Sequence, residues 1–446
     1  IKDGEVELGR ITKTVVVIDE AQDMDKSEYA LIEALMERNE DMRVIAVGDD
    51  DQNIYSFRGS DSRYLRSFIT EKNAVKYELV ENYRSCRAVV SLANAFAETI
   101  TERMKLNPIV SMSESEGEVR LFRYKSRNIE TAVVNDLLAD IDGNSTACVL
   151  TSTNMEAMRV MGMLIRKGQR AKLIQSNDGF DIYNLAEIRY FLKMLEMKLT
   201  SPVISQEVWD KARAELESAY SRSTALPMCL SLLDDYERST ERKYKSDLDM
   251  FIHESNLEDF YHTESGTVFV STIHKSKGRE FDSVYMLLDN VRADNDDDRR
   301  KIYVGLTRAK SRLHIHYNNG IFDEFDTAGL EKITDENKYP SPDEMILQLG
   351  HKDVFLGFFK DKKNFILRLK SGMKLFVTPN GMNIVTKDGQ REVLRFSKAF
   401  KGQLSELAGR GYVPYKGEIR FITAWTDKED NTECAVILPD IYMKRK

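Results

Sequence analysis

Two short apolar runs, each ending in acids, constrain this 446-residue chain more than any other feature. The first is Val15–Ile18, followed by Asp19-Glu20-Ala21-Gln22-Asp23. The second is Arg43–Val47, followed after Gly48 by Asp49-Asp50-Asp51-Gln52. Short apolar runs rich in β-branched residues predict strands buried on both faces of a parallel sheet. A helix is predicted between them, over Ser27–Arg38. Adjacent strands that both deliver polar groups at their carboxyl ends describe the ligand crevice of a parallel α/β sheet. A carboxylate pair in that place suits phosphoryl transfer: Asp19 is positioned to hold Mg²⁺ and Glu20 to orient an attacking water.

Further blocks follow in order. They are Leu79–Ser85 (LVENYRS), Tyr183–Leu195, Val270–Tyr285 (VSTIHKSKGREFDSVY) and Asp297–Lys310 (DDRRKIYVGLTRAK). Together with DEAQD and GDDDQNIYSFRGS, this series resembles motifs II to VI of the UvrD/Rep/PcrA family of superfamily-one DNA helicases, over roughly residues 14 to 317. The resemblance implies an α/β fold. Residues 1–75 would be the back half of a first RecA-like motor domain, which is therefore incomplete. Residues 76–330 would be a second RecA-like domain, interrupted by an all-helical insertion at about 177–262. The insertion is much shorter here than is usual in the family, which leaves open any swivelling or duplex-gripping role for it.

The residue pattern agrees with that division. Strand–helix–strand alternation continues from 76 to 175, with a helix expected from Met155 to Lys167 and stopped by Gly168. Helical spacing takes over at Ile188, Phe191, Leu192 and Leu195, and again at Val208, Ala212, Leu216 and Ala219. Residues 293–300 read as a charged surface loop. Pro340 and Pro342 mark a boundary. Beyond it, from 345 to 446, a small mostly-β module is expected, with an SH3-like barrel as one reading. Strands are expected there over Val354–Phe359, Asn364–Leu369, Lys374–Val377, Met382–Val385, Glu418–Trp425 and Cys434–Leu438, with one helix over Ser397–Arg410.

The chain carries a net charge of −8, but residues 340–446 hold 19 Lys and Arg against 13 Asp and Glu, a local +6. An acidic body excludes a broadly basic, histone-like binder, though not local phosphate contacts. The charge and aromatics of the module suit a nucleic-acid or protein partner. No apolar run approaches a membrane span. Cys86, Cys148, Cys229 and Cys434 lie far apart, with no CxxC, which suits a reducing cytoplasm rather than a Cys-rich zinc site.

Matched to the family's motifs, Arg84 and Arg308 are the implied γ-phosphate arginines, and Gln52 is the implied γ-phosphate sensor. Tyr83 would stack on adenine, and Glu280 would reach the ribose. Phe57 (where the family usually has Trp), Arg58, Thr272 and His274 would contact single-stranded DNA or a single/double-strand junction. Arg279 stands where Leu is usual, and Asp298 where Glu is frequent. The implied cofactors are ATP and Mg²⁺, and the implied movement is 3′→5′. The phosphate-cradling P-loop ends in Gly-Lys, and no Gly-Lys dipeptide occurs in this chain. Since the chain starts at Ile1 rather than Met, the expectation is a C-terminal portion, inactive without an upstream segment that carries the P-loop. The alternative is a helicase-derived DNA-binding or scaffold protein that hydrolyses nothing.

Overall fold

The computed structural model describes residues 6, 8–39, 41–141, 143, 145–174, 181–195, 201–255, 260, 266–387, 389–427 and 429–446. They form two compact units. One comprises Ile1–Ala157 with Val268–Pro340, the other Met158–Thr267 with Ser341–Lys446.

In the first unit, strands Val15–Ile18 and Arg43–Ala46 pair in parallel, with Val15 opposite Arg43. Helix Lys26–Arg38 joins them. The Asp25 carboxylate accepts from the Ser27 and Glu28 N–H groups, and Glu28 returns the bond to the Asp25 N–H. This reciprocal box satisfies donors that a helix start otherwise leaves open. Ile18, Val44 and Ala46 pack on a core of Ala21, Met24, Tyr29 and Phe68. The expected burial on both faces is not found. Val15, Val17, Ile45 and Val47 are 45–63% exposed. Side chains alternate across a strand, and only the alternate set meets the helices of this lobe. Val75, Tyr77 and Leu79, in the segment after this lobe, are more exposed still.

The second lobe of this unit holds six parallel strands in the order Leu330–Asp335, Glu118–Tyr124, Ala309–Tyr317, Phe281–Leu288, Ala147–Thr151 and Val268–Thr272. Ala147–Thr151 and Val268–Thr272 are buried at every position, as strands covered on both faces are. Of the charged loop expected at 293–300, residues 293–295 are loop, but 296–300 begin helix Asp296–Leu306. Asn295 caps it by accepting from the Asp298 N–H, and three acids occupy its first turn, where the helix dipole favours them. Helix Asn154–Arg166 ends one residue short of the expected Lys167.

The second unit combines helices Ala186–Met194, Gln206–Tyr220, Leu226–Ser239 and Lys245–Glu254 with an antiparallel sheet. The sheet runs Glu344–Gln348, Glu433–Arg445, Tyr412–Thr426, Lys374–Val377, Gly381–Thr386 and Gly389–Arg395. Helix Lys398–Gly409 matches expectation. Two expected strands do not form. Leu356–Phe359 is a 3₁₀ turn and Lys363–Ile366 a helical turn. Ile366 and Leu369, three apart, are both buried, which a strand cannot arrange. The β-rich region belongs to one compact unit with the inserted helices. Arg189 pairs with Glu433 at 2.5 Å, and the Thr224 N–H donates to the Ser371 carbonyl at 3.2 Å. All four cysteines are free and buried. Among the described residues, no helix is long and apolar enough to cross a membrane. Gln175, the last residue of the strand–helix–strand stretch expected over 76–175, and Asp388 lie outside the described residues.

Candidate functional site

The acids at the two strand ends are built into one loop system. Glu20 sits at φ 48°, a left-handed conformation uncommon outside glycine. Its N–H donates to Asp19 Oδ1 at 2.9 Å, and both residues are exposed. The Gln22 side chain is fully buried; it donates to Glu20 and accepts from the Asp49 N–H at 2.9 Å. Gly48 makes that reach feasible, since a Cβ there would lie 2.3 Å from Gln22 Oε1. Gln52 donates to Asp49 Oδ2 at 2.9 Å, which aims its Oε1 away from the loop.

Arg308, from the second lobe of the same unit, meets that oxygen: Nη2 to Gln52 Oε1 is 2.9 Å. Arg308 is almost fully buried, and its remaining donors go to the carbonyls of Val304 and Arg279 and to Thr307 Oγ1. Burial, with Arg84 nearby, lowers its pKa to about 10. Arg84 itself pairs with Glu280 at 2.6 Å, and Lys310 pairs with the other Glu280 oxygen at 2.6 Å. Lys310 and Arg84 hold that carboxyl below the usual range. Tyr83 is 75% exposed beside Arg84, its hydroxyl on Glu81.

Three cations that sequence reasoning missed close the same cleft. Lys277 carries a side chain only 7% exposed. Its Nζ lies 2.5 Å from Asp23, 2.9 Å from the Gln52 carbonyl and 3.6 Å from Glu20. Burial raises the Asp23 pKa against the pull of Lys277. Arg103 makes a forked contact with fully buried Asp51, and Lys105 reaches Asp49 at 2.6 Å and Asp51 at 3.0 Å. The signal for Lys277 was present in its place between His274 and Glu280. Arg103 and Lys105 had none, because the loop that returns them to Asp51 has no periodicity.

A second group lies around the 3₁₀ turn Ser56–Arg58. Phe57 is 69% exposed and meets the His274 ring edge-on at 5.7 Å. The Arg58 guanidinium lies 5.4 Å from the centre of the Tyr55 ring and 5.6 Å from that of Phe57. The Tyr55 hydroxyl donates to the His274 carbonyl at 3.3 Å. Burial, with Lys301 and Arg58 close by, lowers the His274 pKa to about 4. Aromatic faces with flanking cations are what a single nucleic-acid strand stacks on. Thr272 is not part of this surface; it is buried at the end of its strand, opposite Thr151.

A parallel α/β sheet with acids at its strand ends, met by arginine and lysine from a second lobe, defines the motor class of helicase proteins. The chain belongs to the UvrD-like helicase family: the family model of the UvrD-like helicase C-terminal domain matches residues 77–202 and 200–320, and that of the UvrD/REP helicase N-terminal domain matches 10–73. The ATP-dependent DNA helicase PcrA of Bacillus subtilis is 21% identical over 402 residues, covering 67% of this chain and 54% of that protein. DNA helicase II of Haemophilus influenzae is 22% identical over 400 residues, 68% and 55%. The Gabija protein GajB of Bacillus cereus is 23% identical over 331 residues, 70% and 65%. The matched part is thus between half and two thirds of these relatives.

Proposed function

We propose that this chain carries the C-terminal portion of an ATP-driven DNA helicase or translocase, cytoplasmic and moving 3′→5′ on single-stranded DNA. Its two motor lobes would both be RecA-like, the first incomplete. The observation that carries the reading is the Arg308–Gln52 contact, which joins the two lobes beside the acids of both strand ends. Glu20 orients the attacking water and takes its proton. Gln52 senses the γ-phosphate. Arg308 and Arg84 stabilise the charge that develops on it, Arg84 after exchanging Glu280 for phosphate. Tyr83 offers an exposed ring to adenine, and Glu280, once released, an acceptor to the ribose. Hard carboxylate oxygens suit Mg²⁺, and exposed Asp19 would hold the ion through water. Mg²⁺, when bound, neutralises charge on the phosphates. Phe57, Arg58 and His274 bind the DNA strand, and Thr272 supports their loop from below.

Phosphates also need a cradle of backbone N–H groups and a lysine. We assign that to another segment, which would pack on the open face of Val15, Val17, Ile45 and Val47. The β-rich region is left for a protein partner. The test is ATP turnover by residues 1–446, with and without single-stranded DNA, alone and joined to a P-loop segment. No turnover alone and DNA-stimulated turnover when joined is the expected result. DNA-dependent hydrolysis by 1–446 alone would overturn the assignment of the cradle. No hydrolysis in either form would leave the DNA-binding or scaffold role.

A further inference from the structure

Away from the cleft, the second lobe buries a cluster that the motor chemistry does not use. Strand Ala309–Tyr317 places His314 and His316 on one face, two residues apart, and helix Glu130–Asp140 lays Asp136 and Asp140 against them. Both histidines are fully buried. Asp136 Oδ2 is 2.7 Å from His314 Nδ1 and 3.0 Å from His316 Nε2. Asp140 Oδ2 is 3.8 Å from His314 Nδ1. One ligand atom from each of Asp136, Asp140 and His314 lies within 4.8 Å of the others.

We propose that Asp136, Asp140 and His314 form a divalent-cation site suited to Zn²⁺, with a water as the fourth ligand. Ligand atoms at about 2.0–2.2 Å from a tetrahedral zinc stand roughly 3.3–3.6 Å apart, and the separations here bracket that range. Imidazole nitrogen beside carboxylate selects zinc over magnesium or calcium, which take oxygen alone.

Two polar atoms of the cluster lack a hydrogen-bond partner among the described residues. Asp140 Oδ2 is buried without a hydrogen bond, and so is His314 Nε2. If neutral His314 gives its Nδ1 proton to Asp136, its Nε2 lone pair faces the Glu118 carboxylate, 3.7 Å away. A cation on Nδ1 moves the ring proton to Nε2 and turns that contact favourable. Glu118 is held by Arg312 at 3.0 Å and Arg120 at 2.7 Å, and His316, met at Nδ1 by the Tyr124 hydroxyl at 2.8 Å, braces Asp136 from outside at 3.0 Å. Outer partners of this kind orient ligating histidines. Asp140 ends its helix and is partly exposed, which gives an ion a way in. The ion would tie helix to strand.

The experiment strips the full chain with a chelator, confirms its fold by circular dichroism, and titrates ZnCl₂ against a chromophoric chelator. One zinc per chain and a higher melting temperature are expected. Asp140→Asn, at the half-open helix end, and His314→Gln should each weaken binding about 100-fold. Cobalt should give the visible bands of a four-coordinate ion with the parent chain and lose them in both variants. A folded parent that takes up no stoichiometric zinc, or equal uptake by both variants, overturns the site and leaves a proton-bridged core.

Discussion

Arg308 Nη2 donates to Gln52 Oε1 across 2.9 Å, while Gln52 Nε2 donates to Asp49. One amide therefore relays the position of a buried arginine to the acidic loop. Arg308→Lys should keep the fold but lose the forked geometry that the carbonyls of Val304 and Arg279 require. Arg308→Ala should destabilise the chain by roughly 3 kcal/mol, since it leaves a void and strands those carbonyls. Urea denaturation of both variants, read beside turnover in the joined protein, checks the pair. Equal stability of Arg308→Ala and parent would remove the relay.

Glu20 stores strain where its carboxylate is needed. Its left-handed backbone costs of order 1 kcal/mol in a non-glycine residue, less in asparagine. Glu20→Asn should therefore stabilise the chain by roughly 0.5–1 kcal/mol while abolishing ATP turnover in the joined protein. Glu20→Gln should abolish turnover without the gain in stability and should retain nucleotide binding. A fluorescent ATP analogue and a melting curve report the two effects separately.

Phe57→Ala and Arg58→Ala should both weaken single-stranded DNA binding. Loss of a stacking ring costs about 1–3 kcal/mol. Loss of a phosphate contact also lowers the salt slope by about one. Fluorescence anisotropy across several salt concentrations distinguishes them. Unchanged affinity in both would mean that this surface does not face DNA.

His274 titrates near 4 when folded and near 6.5 when unfolded. Between those values the unfolded chain binds a proton that the folded chain does not. Its contribution is therefore complete above about pH 6.5 and is lost as pH falls toward 4. His274→Asn should flatten the stability–pH curve over that window by on the order of 1 kcal/mol, allowing for the partial exposure of the ring. A parallel downward shift with the slope intact would contradict this.

Gly48→Ala should be among the most damaging small substitutions. The added methyl would collide with the buried Gln22 oxygen, which holds the Asp49 N–H. A loss of about 1–3 kcal/mol is expected, and Gln22→Ala combined with Gly48→Ala should recover part of it. Equal stability of the double and single variants would show that the clash relaxes elsewhere.

Most of this was legible where chemistry and local pattern coincide. Strand Val15–Ile18 and the helix after it follow from residue order alone, and so, to within one residue, does the helix stopped by Gly168. The one-sided exposure of Val15–Ile18 does not. Motif resemblance, not periodicity, singled out Arg308 and Gln52, and their direct hydrogen bond is visible only in the structure. What the chain concealed was set by tertiary return. Lys277, Arg103 and Lys105 are loop cations whose partners lie 52 to 254 residues away. Asp136 and His314 are 178 residues apart and carried no shared signal. Phe-rich 354–369 read as strand because aromatic residues favour strands, whereas its burial follows a helical turn.

The bare side of the Val15–Ile18 sheet has a consequence for handling the protein. Alternating valines and isoleucines on parallel edges can template other chains as readily as a proper neighbour. Solubility of the isolated chain should therefore depend on concentration, falling off well before its second unit begins to melt. Val17→Lys or Ile45→Lys should restore monodispersity in light scattering without changing the Arg308–Gln52 cleft.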